Sequence, residues 1–341
     1  MPRFSRRLLV VLTGLPLLSA CFRIGPPSSA FNGLYSTSTG TRLQPHPIDY
    51  NGFPDDRVLY FSSRGAACPV AKPKFQSTAM QSGGRLPSLP GILLIGADWG
   101  IDEAEIPNQE WRQYELAGGS AAARAPRPEA LPQSDYYTDP FYLYYPVVGI
   151  SREQAAEFCR WRSRVVTREI NKDLHHPDSL STDYVRCTYR LPTEAEWEQA
   201  AALSAGGSTC LEMPLRVEPR AAAYLQRRSG SRTDVACISA DIKAYNATQP
   251  LRSIINYDQA EPYFLRLATP GYVYQGPSNA QGLYQALGNV AELVQEPGIT
   301  KGGSYQDPLA ACTLKARGSY RGPAPTVGFR CVCTVSYPNR K

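Results

Sequence analysis

Apolar and polar positions keep a helical period in three stretches of this chain, separated by long runs with no period. Ser151-Arg152-Glu153-Gln154 has the form of a capping box, in which a hydroxyl and a Gln side chain satisfy each other's backbone N–H groups. Ala155, Phe158, Cys159, Arg162, Val165, Val166 and Ile170 then recur at helical spacing and predict one inward face. Thr193-Glu194-Ala195-Glu196 is a second capping box, with Trp197, Ala200 and Ala201 on one face behind it. A third helix is expected with Pro107 in its first turn and Trp111 and Tyr114 on one side. Short strands are expected at 91–95, 272–274 and 329–334. Elsewhere 30 prolines and 27 glycines interrupt the chain, so irregular structure should be abundant. The expected class is α+β, a few helices around short antiparallel strands.

The longest apolar run lies at the start. Arg3, Arg6 and Arg7 precede Leu8 to Leu18, a stretch too short to span a bilayer as a helix. It ends in Leu18-Ser19-Ala20-Cys21, the form of a bacterial lipobox, so residues 1–20 read as a lipoprotein signal peptide and Cys21 as the lipidated residue. An ordinary signal peptide with a cysteine at the junction is the alternative. Each buried methylene contributes about 0.8 kcal/mol, so two or three acyl chains anchor stably. Phe22 stands where an Asp would signal inner-membrane retention, and no acidic run follows. The expectation is an outer-membrane lipid anchor facing the periplasm. Residues 21–45, rich in Pro, Ser, Gly and Thr, read as the lipidated cysteine and a flexible tether. Residues 46–341 read as one domain, with 118–133 a long surface loop.

Charge changes this picture little. Three of the 36 basic residues leave with residues 1–20, so 33 face 30 acidic ones, a net +3 with no basic stripe interleaved with aromatics. Nucleic acid is therefore not an expected partner. Eight cysteines remain beside Cys21: Cys68, Cys159, Cys187, Cys210, Cys237, Cys312, Cys331 and Cys333. An even number in an oxidising compartment favours disulfides. His46, His175 and His176 are the only histidines and no HExxH or CxxC occurs, which argues against a histidine-built zinc or iron site.

Six blocks, in order, resemble the formylglycine-generating enzyme (sulfatase-modifying factor) family: DWGIDEAEIPNQEWRQYE (98–115), YPVVGISREQAAEFCRWR (145–162), YRLPTEAEWEQAA (189–201), GLYQALGNVAELV (282–294), KGGSYQD (301–307) and GFRCV (328–332). The resemblance implies that family's irregular fold, related to C-type lectins. The central block, preceded by DYYTDPFYLY and followed by an insertion over 162–188, is most similar to the gliding-motility and type IX secretion lipoproteins of the GldJ and GldK group.

That resemblance also implies chemistry. The family's enzymes hold copper(I) with two thiolates, at the second and seventh positions after the aromatic of GGSW; here these positions are Asp307 and Cys312. A carboxylate is a hard ligand and does not replace a thiolate for copper(I), so the pair is incomplete and no catalytic residue is assigned. Cys312 alone reads as a disulfide partner or a buried thiol. The family pairs the helix cysteine with that of GFRC, which implies Cys159–Cys331; Cys210–Cys237 is a second candidate pair. The family's calcium loop maps to Gln285, Gly288, Val290 and Glu292, with a metal-free structural turn as the alternative.

The expectation for function is a non-catalytic outer-membrane lipoprotein, a pseudoenzyme acting as a scaffold for periplasmic or outer-membrane protein partners in gliding motility or type IX secretion. Neither copper nor a small-molecule substrate is expected. Tyr136, Tyr137, Tyr142, Tyr144 and Tyr145, in the expanded segment 116–145, suit interface anchors and equally suit core packing. Segments 162–188 and 203–280 are the other expansions. The alternative is a copper- and oxygen-dependent oxidoreductase of formylglycine-generating type, with Cys312 and a second thiol such as Cys333. A lectin-like glycan binder is a third possibility.

Overall fold

The computed structural model describes residues 36–41, 59–60, 89–117, 124–173, 178–202, 212–214, 216–217, 234–248, 251–253, 255–259, 268–275, 278–279 and 281–340. The signal sequence, Cys21, Cys68, Cys210 and all three histidines lie outside them.

Both capping boxes form. Ser151 and Gln154 exchange hydrogen bonds at 2.7 and 3.2 Å and open helix α2, Arg152–Asp173, after α1, Asn108–Leu116. Thr193 and Glu196 do the same for α3, Glu194–Ala201. Pro107 is the N-cap of α1 rather than a first-turn residue, a place where its missing N–H costs nothing. A fourth helix, α4, spans Val235–Thr248.

Twelve short strands are present among the described residues: β1 Leu59–Tyr60, β2 Ile92–Leu94, β3 Trp99–Asp102, β4 Arg186–Arg190, β5 Glu212–Pro214, β6 Arg216–Val217, β7 Leu251–Ser253, β8 Ala291–Leu293, β9 Ile299–Lys301, β10 Gly318–Ser319, β11 Val327–Gly328 and β12 Val332–Ser336. One sheet, β2-β3-β12-β4, is antiparallel throughout; the other, β10-β9-β8-β11, ends in a parallel pair; β1-β6 and β5-β7 are ribbons. Residues 272–274, expected as a strand, form a turn. Segment 162–188 is mostly the continuation of α2 and the start of β4 rather than a loop.

Alternation along β12 divides the core, because successive side chains point to opposite faces. Cys331, Cys333 and Val335 pack with Phe158, Cys159 and Trp111 under α2, while Val332 packs with Trp197, Val294 and Cys312 on the other side. A third cluster gathers Tyr136, Tyr142, Tyr144, Tyr145, Tyr272, Tyr274 and Tyr284. Four of the five tyrosines considered as interface anchors are thus core residues; Tyr137 is only partly buried. Their hydroxyls explain how so polar a residue fills a core, as Tyr136 shows by donating to the carbonyl of Pro146 at 2.7 Å.

Strand β4 lies at a sheet edge, and α2 satisfies that edge with side chains. Ser163 bonds the N–H and C=O of Tyr189, Thr167 those of Cys187, and Asn171 those of Val185. Four helical residues rise about 6 Å and two strand residues about 6.7 Å, so an i, i+4, i+8 row stays in register with alternate strand residues. This covers an otherwise open edge. Thr167→Val keeps the shape and orphans both backbone groups of Cys187; a loss of about 1–3 kcal/mol in urea unfolding is expected. Thr167→Ser should retain most of it.

Residues 36–41 fall inside the expected tether but are not free chain. Ser36, Thr37, Ser38 and Thr39 are buried in a turn packed against the domain.

Candidate functional site

The matched blocks meet around a buried ion pair. Arg330, of GFR, grips both oxygens of Glu292, of GNVAEL, at 2.7 Å each, and both side chains are fully buried. Trp197 donates its indole N–H to the same carboxylate at 2.8 Å. The guanidinium also reaches the carbonyls of Asp102 at 3.1 Å and Tyr284 at 2.9 Å. A second buried pair lies beyond it: Arg162 holds Asp102 at 2.8 Å, and Asp102 accepts from the N–H of Cys331 at 2.7 Å. Lys301, fully buried, joins Glu194 and Glu198 of α3 at 3.2 and 2.9 Å. Charges taken from water persist only when paired and hydrogen-bonded, as these are. The motif residues therefore tie β3, α2, α3, β8, β9 and the GFR segment to one another.

Gln285 and Asn289 flank the turn between them in the left-handed region, at φ 49° and 62°. Asn adopts this conformation readily, and Asn289 is held by the N–H of Gly271 and by Glu105 at 2.7 and 2.8 Å. Burial, then the neighbouring Glu292 charge, pushes the Glu105 carboxyl well up. These positions do not fit calcium. Of the four proposed ligands, Glu292 gives both oxygens to Arg330, and the Gln285 amide is engaged by Asn256 and by the carbonyl of Gln275. A cation on Glu292 would adjoin a buried guanidinium.

The two positions that the resemblance assigns to copper are equally committed. KGGSYQD closes a turn in which Asp307 accepts from the N–H and hydroxyl of Ser304 at 2.8 and 2.6 Å. Cys312 is buried behind it, and burial together with the Asp307 charge pushes its thiol to about 12. At neutral pH only about one such thiol in 10⁵ is thiolate, the form that binds metal or attacks. Cys333 cannot supply the second ligand, because β12 alternation sets it on the α2 side of the sheet, whereas Cys312 packs in the cluster of Val332 on the other. No group of three or more His, Cys, Asp or Glu residues suited to a metal occurs among the described residues.

Of the proposed disulfides, Cys159 and Cys331 place their sulfurs 3.3 Å apart, unbonded and buried. Cys237 is exposed on α4, and its expected partner Cys210 lies outside the described residues.

Glu103 sits at the edge of the tyrosine cluster, where Tyr274 donates to it at 3.2 Å. Burial raises its carboxyl from 4.5 to about 7. The folded state then holds a proton that the unfolded chain releases, so this group's contribution is full below about 4.5 and lost as pH rises through about 7. The loss amounts to up to about 3 kcal/mol. Glu103→Gln, permanently neutral, should be more stable than the parent at pH 8 and nearly equal to it at pH 4.5. Urea midpoints at the two pH values test this; equal differences would exclude Glu103 as the source.

Nothing local in the sequence assigns a role to Asp102, Glu105, Glu110 or Arg330. One signal was available: Arg162 interrupts the apolar row of α2, where a cation must find a buried partner.

A family model described as the sulfatase-modifying factor enzyme 1-like domain matches residues 92–335. No curated protein matches. Solved structures similar to the chain include Treponema denticola variable protein 1, 18% identical over 69% of this chain and 84% of that one, with a TM-score of 0.36. PvdO from Pseudomonas aeruginosa is 16% identical over 69% and 80%, at 0.41, and CarF 17% over 70% and 87%, at 0.37. With most of its length matched and the shared blocks forming one interlocked polar core, the chain belongs to the sulfatase-modifying factor family, the fold of the formylglycine-generating enzymes.

Proposed function

We propose that this chain is a non-catalytic interaction protein, anchored by lipid at Cys21 to the periplasmic face of the outer membrane. The observation that carries the reading is at position 307. A carboxylate stands where the family's copper site needs a thiolate, it is locked into a turn by Ser304, and its charge helps keep Cys312 protonated. The remaining thiol is neither paired for copper(I) nor reactive on its own. What the family blocks retain is their structural part, a set of buried ion pairs that holds an irregular chain in one shape.

Within that reading the domain is a scaffold of gliding-motility or type IX secretion type. The support is the resemblance of residues 135–171 to those lipoproteins. With the tyrosines of 136–145 largely in the core, the surface that supports a partner best is the exposed side of α4, which buries only Ile238 and Ile242. Protein partners are expected, and neither nucleic acid nor a small-molecule substrate.

Copper(I) titration of the purified protein against a competing chelator tests the central claim. No stoichiometric high-affinity site is expected; one copper per chain, lost in Cys312→Ser, would restore the oxidoreductase reading. Pulldown from solubilised outer membrane should recover stable protein partners, and a solitary monomer would count against the scaffold.

A further inference from the structure

Helices α1 and α2 and the start of β2 form a polar cleft that this chain fills with its own residues 36–41. Glu110, buried on α1, accepts from the hydroxyl of Ser36, and from the backbone N–H and hydroxyl of Thr37 at 2.8 and 3.1 Å. Arg162, buried on α2, donates to the carbonyl of Ser38 at 2.6 Å and to that of Pro90 at 3.2 Å. The segment closes on itself as well: Gly40 donates to the carbonyl of Ser36 at 2.9 Å, and Ser36 to that of Thr41 at 2.8 Å. Gly91 completes the fit. It sits at φ +64°, and a Cβ there would stand 2.5 Å from the carbonyl oxygen of Thr37.

A buried carboxylate is costly unless hydrogen-bonded, and apart from Arg162's charge the groups that satisfy Glu110 come from this segment. Small hydroxyl side chains and a glycine are what such a cleft admits. We propose that Ser36–Thr41 is a docking clamp that fixes where the membrane tether joins the domain, a proposal that rests on lipid attachment at Cys21. Only residues 22–35 then separate the lipid from the first fixed point, and fourteen residues reach at most about 50 Å. The attachment point beside α1 and α2 then stays within that distance of the bilayer, and the domain cannot swing out on a longer leash.

Hydrogen exchange on the full-length, detergent-solubilised protein tests the clamp. The amides of 38–40 should exchange at least tenfold more slowly than in Thr37→Pro, which removes both the N–H and the hydroxyl that Thr37 gives to Glu110 and alters no residue of α1 or α2. Glu110→Gln checks the same contact from the other side, and exchange in α2 serves as the folding control. Exchange of 37–40 at free-peptide rates in the parent chain would overturn the proposal. A second measurement reads the tether, as energy transfer between labelled vesicles and a dye on the exposed Cys237 of the lipidated chain. A 20-residue Gly/Ser spacer inserted before Ser36 should lower the transfer, while the same spacer placed between Thr41 and Leu59 should leave it unchanged. Equal losses would overturn the clamp. Protected amides in a chain that does not join vesicles would retain the docking and refute the anchor.

Discussion

Replacing Glu292 with Ala is expected to remove about 3–5 kcal/mol of stability, the usual cost of leaving one member of a buried pair uncompensated. Three donors converge on this carboxylate, and none can turn to water because the site is fully enclosed. Arg330→Met should be as damaging, since it strands Glu292 and also the carbonyls of Asp102 and Tyr284. In a double-mutant cycle the two losses should overlap by more than about 2 kcal/mol, within the range found for residues in direct contact. A loss under 1 kcal/mol for Glu292→Ala would mean that the pair does not hold the fold. The same variant separates structure from metal. Millimolar calcium should leave the melting temperature of the parent unchanged, whereas a calcium-dependent rise abolished in Glu292→Ala would make the turn a metal site.

The second large effect is expected at Cys159 and Cys331. Denatured without reductant, the protein should show no free thiol at either position, and peptide mapping should recover the two linked. Their separation of 172 residues makes the entropic gain from a cross-link large, roughly 5 kcal/mol in the loop model, with about 2–5 kcal/mol typical of measured losses. Burial pushes the Cys331 thiol well up, and the nearby Cys159 adds to this, so oxidation should precede closure of the core. Cys331→Ser should therefore lower the unfolding midpoint and yield no more stable protein under oxidising than under reducing conditions. Free thiols at both positions in protein isolated without reductant would exclude the bond.

Much of the fold was readable from the chain. The capping boxes at 151–154 and 193–196 placed two helix starts, because their reciprocal hydrogen bonds are local and need nothing from the rest of the molecule. The strands near 92 and 332 followed from short apolar runs between breakers. Tyr272–Tyr274 misled for the opposite reason: β-favouring residues form a strand only when a partner lies alongside, and here the aromatic rings pack while the backbone turns. Residues 36–41 look like tether in sequence because Ser, Thr and Gly suit a solvated linker and a buried hydroxyl-rich turn equally well. The choice between them belongs to Glu110 and Arg162, more than 70 residues away.

By itself the sequence determined the family, through six ordered blocks, and put an Asp at 307 where the resemblance implies a thiolate. Those are statements about residue identity at fixed spacing, and spacing along a chain is local information. Only the tertiary structure decided what the blocks do. It joined Glu292 to Arg330 and Trp197, set Cys333 and Cys312 on opposite faces of one sheet, drew the tyrosines inward and seated Ser36–Thr41 against α1. Each of these depends on which distant side chain shares a buried space, and burial turns the choice of partner into several kcal/mol where water would make it nearly indifferent.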